Sequence, residues 1–185
     1  MKNTAMSAKI YMVGLLAGAG LLAASGASAA DGTITIQGQV TDASCLIAVD
    51  GGTGDSTITL PAVSKSALAT PGDTAGAKGF TMQLSGCPTT GSVRAAFAPL
   101  NVDPATGYLQ NTASVSAATN VQVQVLDGAA TPIDLRDNTG NSYVPFVDQG
   151  GAGVADLSYA ARYVATGIAT AGQVDTQLVY TLDYQ

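Results

Sequence analysis

The run Val-Gln-Val-Gln-Val at residues 121–125, which is followed by Leu126 and the dipeptide Asp127-Gly128, decides the fold class of this chain. Apolar and polar residues alternate in it with a period of two. This spacing places successive side chains on opposite faces of a β-strand. Asp-Gly is a typical turn sequence, because both residues tolerate the backbone conformations of tight turns. The run therefore predicts a β-strand that ends in a turn.

Short alternating runs of the same kind recur on both sides of this stretch, separated by Gly, Pro, Asn and Asp. Their apolar positions are Ile34 and Ile36; Ile58 and Leu60; Phe80, Met82 and Leu84; Leu157, Tyr159, Ala161 and Tyr163; and Leu178, Tyr180, Leu182 and Tyr184. A period of two with frequent turns predicts an antiparallel β-sandwich. Only residues 64–69 have a helical pattern, for a turn or two, whereas residues 73–79 and 148–153 are predicted loops.

The first 30 residues have the three-part order of a secretory signal peptide. Two lysines give a positive start, residues 10–24 are almost wholly apolar or glycine, and residues 27–29 (Ala-Ser-Ala) form a small-residue cleavage pattern. The alternative is an uncleaved membrane anchor, but the apolar stretch is short for a membrane span. We therefore predict that residues 1–30 are removed on export, with the cut before Ala30 or Asp31.

The mature chain predicted by this cleavage carries few charges, and most of them are negative. All 13 acidic residues are aspartates, the sequence contains no His, Glu or Trp, and removal of the first 30 residues leaves five basic side chains. A nucleic-acid partner needs a basic surface, so the composition argues against one. The remaining length is enough for one domain with a core of its own.

The chain has two cysteines, Cys45 and Cys87, and both follow the predicted signal peptide. Export into an oxidising compartment favours one disulfide between them, whereas a pair of free thiols is the alternative. In the chain-entropy model, closing a loop of this length contributes about 4 kcal/mol of stability.

The two terminal strands of the predicted mature chain differ from the others. The first spans residues 32–40 and contains two glycines, which weaken a strand that stands alone. The last is expected to run to Gln185, with nothing after it to cover its outer edge. A long apolar open edge is an aggregation hazard unless a partner is intended. The first strand therefore either folds back onto its own sheet or serves another molecule.

At these residues the chain resembles the subunits of chaperone–usher pili, and most of all the rod subunits of type 1 fimbriae. The resemblance covers essentially the whole mature chain. The N-terminal strand, shortly before Cys45, resembles the family's N-terminal extension, and Cys45 with Cys87-Pro88 is similar to its disulfide pair. The C-terminal end combines a penultimate Tyr184 with Gly172, fourteenth from the end, as in the family's chaperone-recognition pattern. Residues 161–167 are similar to the strand and turn before it.

The resemblance implies an all-β fold, an incomplete immunoglobulin-like sandwich that lacks its last strand and is completed by a donor strand. The donor residues, which would fill five successive pockets with the second glycine at a shallow one, are Gly32, Ile34, Ile36, Gly38 and Val40. The edge that receives a strand and binds the chaperone would comprise Gly172, Leu178, Tyr180, Leu182 and Tyr184. The implied divisions are a signal peptide (1–30), a donor-strand extension (31–41) and a pilin domain (42–185).

The resemblance also implies partners and a location. The partners would be further copies in a head-to-tail homopolymer, other pilus subunits, a periplasmic chaperone and an outer-membrane usher, with no cofactor. The subunit would pass through the periplasm to a fimbrium at the cell surface and support adhesion and biofilm formation. A minor adaptor subunit of the same system would show the same two ends, so the choice between rod and adaptor stays open.

An enzyme is the first rival class. Without His there is no His-based triad and no imidazole metal ligand, and without Glu only Asp could supply paired carboxylates. Asp134, Asp137, Asn138 and Asn141 could suggest a cation loop. Their spacing does not match an EF-hand, and turns are rich in these residues, so we interpret them as turn residues. The prediction is a protein that is not an enzyme and has no metal site.

A secreted carbohydrate-binding module on a β-sandwich is the second rival class. Sugar stacking favours aromatic side chains, but the chain has no Trp and only 5% aromatic residues. A tip adhesin would carry an extra receptor domain before its pilin domain, and this chain has room for one domain. Its donor-like N-terminal strand would also be unnecessary in a tip protein. The structural pilus subunit is therefore the preferred prediction.

Overall fold

The computed structural model describes residues 45–185. The predicted signal peptide and the predicted donor strand of Gly32, Ile34, Ile36, Gly38 and Val40 lie outside the described residues. The described part contains nine strands and one 3₁₀ helix (Lys65–Leu68). The strands are β1 Leu46–Val49, β2 Thr74–Cys87, β3 Ser92–Phe97, β4 Leu109–Gln110, β5 Val121–Asp127, β6 Val144–Pro145, β7 Val147–Asp148, β8 Gly153–Ala165 and β9 Tyr180–Tyr184.

The strands form two sheets in which every pairing is antiparallel. The larger sheet has the order β1-β2-β8-β5-β4, with β7 paired to the start of β8, and the smaller sheet has the order β6-β3-β9. The two sheets share one apolar core, to which β2, β5 and β8 contribute from the larger sheet and β3 from the smaller. This arrangement is the antiparallel sandwich that the period-two runs predict.

Strand β5 departs from a simple alternation of buried and exposed residues. Val121, Val123 and Val125 are buried as expected, but Gln122 and Gln124 are buried as well. Both amides have partners, because Gln122 Nε2 donates to Asp103 Oδ2 at 2.6 Å and Arg162 Nε donates to Gln124 Oε1 at 2.8 Å. The loop before β4 reaches Gln122 and Arg162 of β8 reaches Gln124, so both glutamines are hydrogen-bonded inside the protein and not in water.

Residues 73–79 were predicted as a loop, and this prediction is wrong, because Thr74–Gly79 is the first part of β2. It continues the pairing with β8, from Thr74 opposite Val164 onward, and an irregularity between Ala75 and Lys78 absorbs extra residues. Gly76 lies in this bulge with φ of +66°, a conformation that favours glycine. Of the glycines that suggested a loop, Gly76 thus lies in a bulge and Gly79 is paired with Ala160 within the same long strand.

The other two local predictions agree with the structure more closely. The single 3₁₀ turn lies within the predicted helical stretch 64–69, and the turn between β7 and β8 lies within the predicted loop 148–153. No helix among residues 45–185 is long and apolar enough to cross a membrane.

Cys45 and Cys87 form the disulfide. Cys45 directly precedes β1 and Cys87 is the last residue of β2, and these two strands are paired with Leu46 opposite Ser85. The bond therefore fastens the first described strand to the larger sheet at one end of the β1–β2 pair. The free-thiol alternative is excluded for this pair.

Candidate functional site

A long open groove, with a volume of about 1130 Å³, runs along the side of the sandwich. Residues 54–63 border it on one side and residues 172–180 on the other. Its floor consists of buried apolar side chains that belong to the core, including Met82, Phe97, Leu109, Val123 and Val125. A groove in which core side chains form the floor indicates that part of the sandwich is uncovered along this side.

The first wall is the free edge of β9 and the chain that leads into it. The side of this segment away from the groove is bonded at alternate residues: Gln185 exchanges two hydrogen bonds with Ser92, Val179 O accepts from Ala98 N at 2.8 Å, and Asp175 O accepts from Thr112 N at 2.7 Å. In an antiparallel pair the residues between direct their N–H and C=O groups to the opposite side. Those residues, which lie along the open edge, are Val174, Thr176, Leu178, Tyr180, Leu182 and Tyr184.

These edge residues also turn their side chains inward. Val174, Thr176, Leu178 and Tyr180 line the groove and are partly buried, while their neighbours in the sequence are exposed. Thr176 Oγ1 is buried and has no hydrogen-bond partner among the described residues. Within the part of the chain that the structure describes, β9 pairs with β3 alone. The edge thus offers unpaired backbone groups above apolar side chains, which is what an added β-strand needs.

The opposite wall is the segment 56–63, in which Ile58 and Leu60 are partly buried between exposed neighbours and which joins no ladder with any strand of residues 45–185. The sequence predicts a strand here from Ile58 and Leu60, and these two side chains do pack against the core. The segment is not a ladder strand because the described structure gives it no neighbour to bond. Among residues 45–185, neither this segment nor the groove side of residues 174–180 has a strand partner, and both segments line the same apolar groove, which marks the borders of a missing strand.

Tyr180 connects the two walls at one end of the groove. Its hydroxyl donates a hydrogen bond of 2.8 Å to the carbonyl oxygen of Gly54. Partial burial raises the pKa of the Tyr180 phenol, and the nearby Asp55 carboxylate acts in the same direction. The phenol therefore stays protonated at neutral pH and holds the two walls together at this end.

Gly172 lies near the other end, where the backbone passes very close to residues 116–118. A Cβ atom at Gly172 would lie 2.5 Å from Ser116 O and 2.6 Å from the carbonyl carbon of Ala117. The contact is a short parallel bridge between Ala117 and Gln173, with Gln173 N donating to Ser116 O at 2.8 Å. Only glycine fits here without a shift of backbone, so this position has a structural requirement of its own.

Replacing Gly172 with Ala is expected to lower the free energy of unfolding by about 1–3 kcal/mol, the usual cost of overpacking. Urea unfolding of the folded subunit measures the change. Gly79→Ala is the matched control, since a Cβ there would meet Tyr159 O at an ordinary 3.7 Å. Equal unfolding midpoints for the two variants would contradict the close-approach argument.

The remaining two predicted edge residues lie beyond the groove. Leu182 packs half-buried against the core, and the Tyr184 ring stacks with Phe146 at a centroid distance of 6.3 Å. Neither belongs to the groove lining. Their backbone groups nevertheless continue the free edge of β9, so the edge extends further than the groove beside it.

A polar cluster on the other face of β9 fastens this strand to the rest of the small sheet. Arg94 Nε donates to Asp183 Oδ2 at 3.0 Å, and Tyr143 Oη donates to the same oxygen at 2.6 Å. These bonds, the one from Tyr143 foremost, lower the pKa of Asp183 and keep its carboxylate charged. The guanidinium of Arg94 also lies over the Tyr143 ring, 4.4 Å from its centroid. The open edge therefore belongs to a firmly anchored strand.

Sequence reasoning found the receiving strand but not the whole site. It named Gly172, Leu178 and Tyr180, which do line the groove, but it did not assign Phe97, Leu109 or Val123 to the site. The bond from Tyr180 to Gly54 joins residues 126 positions apart, and no local pattern predicts it. The sequence predicted the segment 56–63 only as a strand. That it has no strand partner among residues 45–185 depends on the arrangement of the whole sheet, which no local pattern shows.

The fold and the groove together define a class of protein: an incomplete immunoglobulin-like sandwich of the pilin type, with an acceptor groove in place of its last strand. Residues 60–185 match the family described as type-1 fimbrial protein, A. The chain is 44% identical over 150 residues to the major fimbrial subunit SMF-1 of Stenotrophomonas maltophilia, covering 79% of this chain and 88% of that one. It is 40% identical to the F17 fimbrial protein of Escherichia coli, with coverage of 80% and 83%.

Solved structures agree on the fold. A structure of a chaperone–usher pilus superposes with a TM-score of 0.57 at 20% identity, covering 84% of this chain and 96% of that one. The chain belongs to the type-1 fimbrial protein family. It is a structural subunit of a fimbria at the cell surface, as are its relatives, and it forms fibres with other subunits.

Proposed function

We propose that this subunit polymerises by donor-strand exchange, in which residues 32–40 of one copy fill the groove of the next. The observation that carries the proposal is the groove between the segment 56–63, which joins no strand ladder among residues 45–185, and the segment 174–180, whose groove side has no strand partner among those residues. An added strand would bond to the free edge of β9, and its alternate side chains would enter the groove. The alternating set Gly32, Ile34, Ile36, Gly38 and Val40 fits such an apolar floor.

The energetics support a long-lived contact. Burial of two Ile and one Val side chain contributes about 1.5–3 kcal/mol each, or roughly 5–9 kcal/mol before ordering costs, and the backbone ladder adds to it. A slip by one residue would present Thr33, Thr35 and Gln37 to the apolar floor, so the register is tightly specified. Groove and donor strand are different surfaces of one chain. The contact is therefore head-to-tail and generates an open filament.

The open groove also requires protection before assembly. Six edge residues without a strand partner among residues 45–185, which lie beside an open apolar groove, would promote aggregation if left uncovered. We propose that a periplasmic chaperone lends a strand to the edge of Gly172, Leu178, Tyr180, Leu182 and Tyr184, and that an outer-membrane usher exchanges it for the next subunit's extension. In this scheme residues 1–30 are the cleaved signal peptide, 31–41 the donor extension and 42–185 the pilin domain.

The proposal further assigns the subunit to the rod of the fimbria, without catalytic activity, and to a supporting role in adhesion and biofilm formation. The major-subunit relative supports the rod over a minor adaptor position. No catalytic constellation is needed for this role, because the work is done by burial of side chains and by backbone hydrogen bonds.

A synthetic peptide of residues 31–41 tests the exchange directly. Added to unpolymerised mature subunits, it is expected to bind at one peptide per subunit and to stop filament growth. Sedimentation and the loss of the SDS-resistant ladder measure the arrest of growth. The matched control is a peptide of the same composition in which each apolar residue trades places with its polar neighbour. Undiminished filament growth at saturating concentrations of the native peptide would refute the proposal.

A further inference from the structure

In the small sheet, the backbone groups along the outer edge of β9 have no strand partner among residues 45–185, whereas those along the outer edge of β3 are hydrogen-bonded. Strand β3 uses Ser92 and the alternate residues after it to bond β9. Its other alternate residues, Val93, Ala95 and Phe97, direct their N–H and C=O groups to the outer edge of β3. Strand β6 covers only the first of them, with Val93 opposite Val144. The backbone groups of Ala95 and Phe97 are then left without a strand partner at an edge of the sheet.

Side chains take the place of a strand at these two residues. Asn138 Oδ1 accepts from Phe97 N at 2.8 Å, and Asn138 Nδ2 donates to Phe97 O at 2.9 Å. Asn141 Nδ2 donates to Ala95 O at 2.7 Å. Ala95 N donates to Tyr159 Oη at 3.1 Å, and that hydroxyl in turn donates to Asn141 Oδ1 at 3.2 Å. The N–H and C=O groups of both Ala95 and Phe97 therefore all have hydrogen-bond partners.

Asparagine suits this task because its side-chain amide carries the same donor and acceptor as a peptide group. Asn138 therefore bonds Phe97 in both directions, as a paired strand residue would. Its backbone has φ of +62°, which asparagine tolerates better than most residues. Asn138 N donates to Asp134 O at 2.8 Å and Asn141 N to Asn138 O at 3.1 Å. The loop 134–141 is thus folded on itself in a form that presents both amides to β3.

We propose that Asn138 and Asn141 close the outer edge of β3 to strand addition, so that in this sheet only the edge of β9 accepts a strand from a second copy. This inference rests on the proposed function, since it concerns where the donor strand binds. Its consequence is one acceptor site per subunit in the small sheet. Each copy then receives one neighbour there, and the fibre grows without branching or lateral pairing through β3.

The candidate cation loop of the sequence analysis has a structural role in this proposal. Its residues are Asp134, Asp137, Asn138 and Asn141. Asp134 is bound by the Arg136 guanidinium, and the side-chain hydrogen bond from Arg136 lowers the pKa of Asp134 to about 2. Asp137 Oδ1 accepts from Thr139 N at 2.9 Å within the turn. The carboxylates shape the loop, and the two amides are the groups that reach the sheet.

The test uses mature subunits with the groove saturated by the 31–41 peptide, so that the edge of β9 is occupied. Asn138→Gly removes both bonds to Phe97 and keeps the positive φ, and Asn138→Gly with Asn141→Ala frees Ala95 O as well. The matched control is Asn120→Gly. Asn120 also has positive φ, 57°, and its Nδ2 also donates to a backbone carbonyl, Ile168 O, but at no strand edge.

Native mass spectrometry and sedimentation then count peptides and subunits per particle. Wild type and Asn120→Gly are expected to remain one subunit with one peptide. The double variant is expected to take a second strand, from peptide or from another subunit, with at least about tenfold higher affinity than the control. Asn138→Gly should show a smaller increase. Circular dichroism establishes which variants are folded. If the double variant is not folded, the result for Asn138→Gly alone tests the edge-closing role.

The outcomes separate the two proposals. If wild type binds no peptide, donor-strand exchange itself fails. If wild type binds one peptide and the folded asparagine variants also remain single one-to-one complexes, exchange stands and the edge-closing role is overturned. A loss of thermal stability in these variants without any second strand would likewise overturn it, because the asparagines would then only anchor their loop.

Discussion

Ile36→Asp is expected to abolish polymerisation of the mature subunit. The proposed donor strand places Ile36 in an apolar groove whose floor includes the buried side chains Met82, Val123 and Val125. A carboxylate there would lose its hydration without gaining a partner, which costs several kcal/mol in addition to the lost apolar burial. Since 1.4 kcal/mol is a factor of ten, the affinity for the next groove should fall by about a thousandfold or more.

The matched control for this variant is Thr35→Asp, which introduces the same charge on the opposite face of the strand. That side chain would point away from the groove, so filaments should still form. Electron microscopy and the SDS-resistant ladder report assembly, and co-purification with a chaperone reports the intact groove. Ile36→Asp should keep chaperone binding, because the donor strand is not part of the groove. Normal filaments from Ile36→Asp would refute the assignment of residues 32–40.

Removal of the disulfide is expected to have the second-largest effect. In the chain-entropy model, the loop between Cys45 and Cys87 accounts for about 4 kcal/mol. Domains of this size are stable by only about 5–15 kcal/mol in total. The sandwich also lacks a strand before assembly, so the unassembled subunit should be especially sensitive. Cys45→Ala with Cys87→Ala should therefore lower the yield in the periplasm several-fold and move the urea midpoint to lower concentration.

Alanine is chosen because Cys87 is buried and a serine hydroxyl would add a desolvation cost. Ser85→Ala is the control: it lies two residues away on the exposed side of β2, opposite Leu46 of β1. Its yield and urea midpoint should equal those of the wild type. A wild-type yield and midpoint for the double cysteine variant would show that strand pairing alone holds β1 in place.

The positions of several strands could be predicted from the sequence. The runs at Phe80–Leu84, Leu157–Tyr163 and Tyr180–Tyr184 lie in strands, because a period of two is a property of neighbouring residues. The prediction failed at residues 73–79, where Gly76 lies in a bulge of β2 and Gly79 is paired with Ala160. The pairing of β2 with the full length of β8 overrides the local preference there.

The candidate site could be predicted only in part. Leu178 and Tyr180 were named from the resemblance to pilus subunits, and they line the groove. Leu182 was expected beside them but packs on the core beyond the groove. The alternating pattern of the last strand does not show where the opposite wall of the groove ends. In the structure, the bond from Tyr180 to Gly54 marks this end of the groove. The amides of Asn138 and Asn141 looked like ordinary turn residues, because the edge of β3 that they close is distant in sequence.

By itself, then, the sequence determined that this protein is built of antiparallel strands, that two cysteines are available to join, and that residues 32–40 and the last strand differ in pattern from the other runs. These properties depend on short-range periodicity and composition. Only the tertiary structure decided that, among residues 45–185, no strand lies between residues 56–63 and 174–180, and that the edge of β9 has no strand partner there while side-chain amides bond the outer edge of β3. Backbone hydrogen bonds between strands join residues far apart in the chain, so which of them remain unpaired is known only when all the strands are in place.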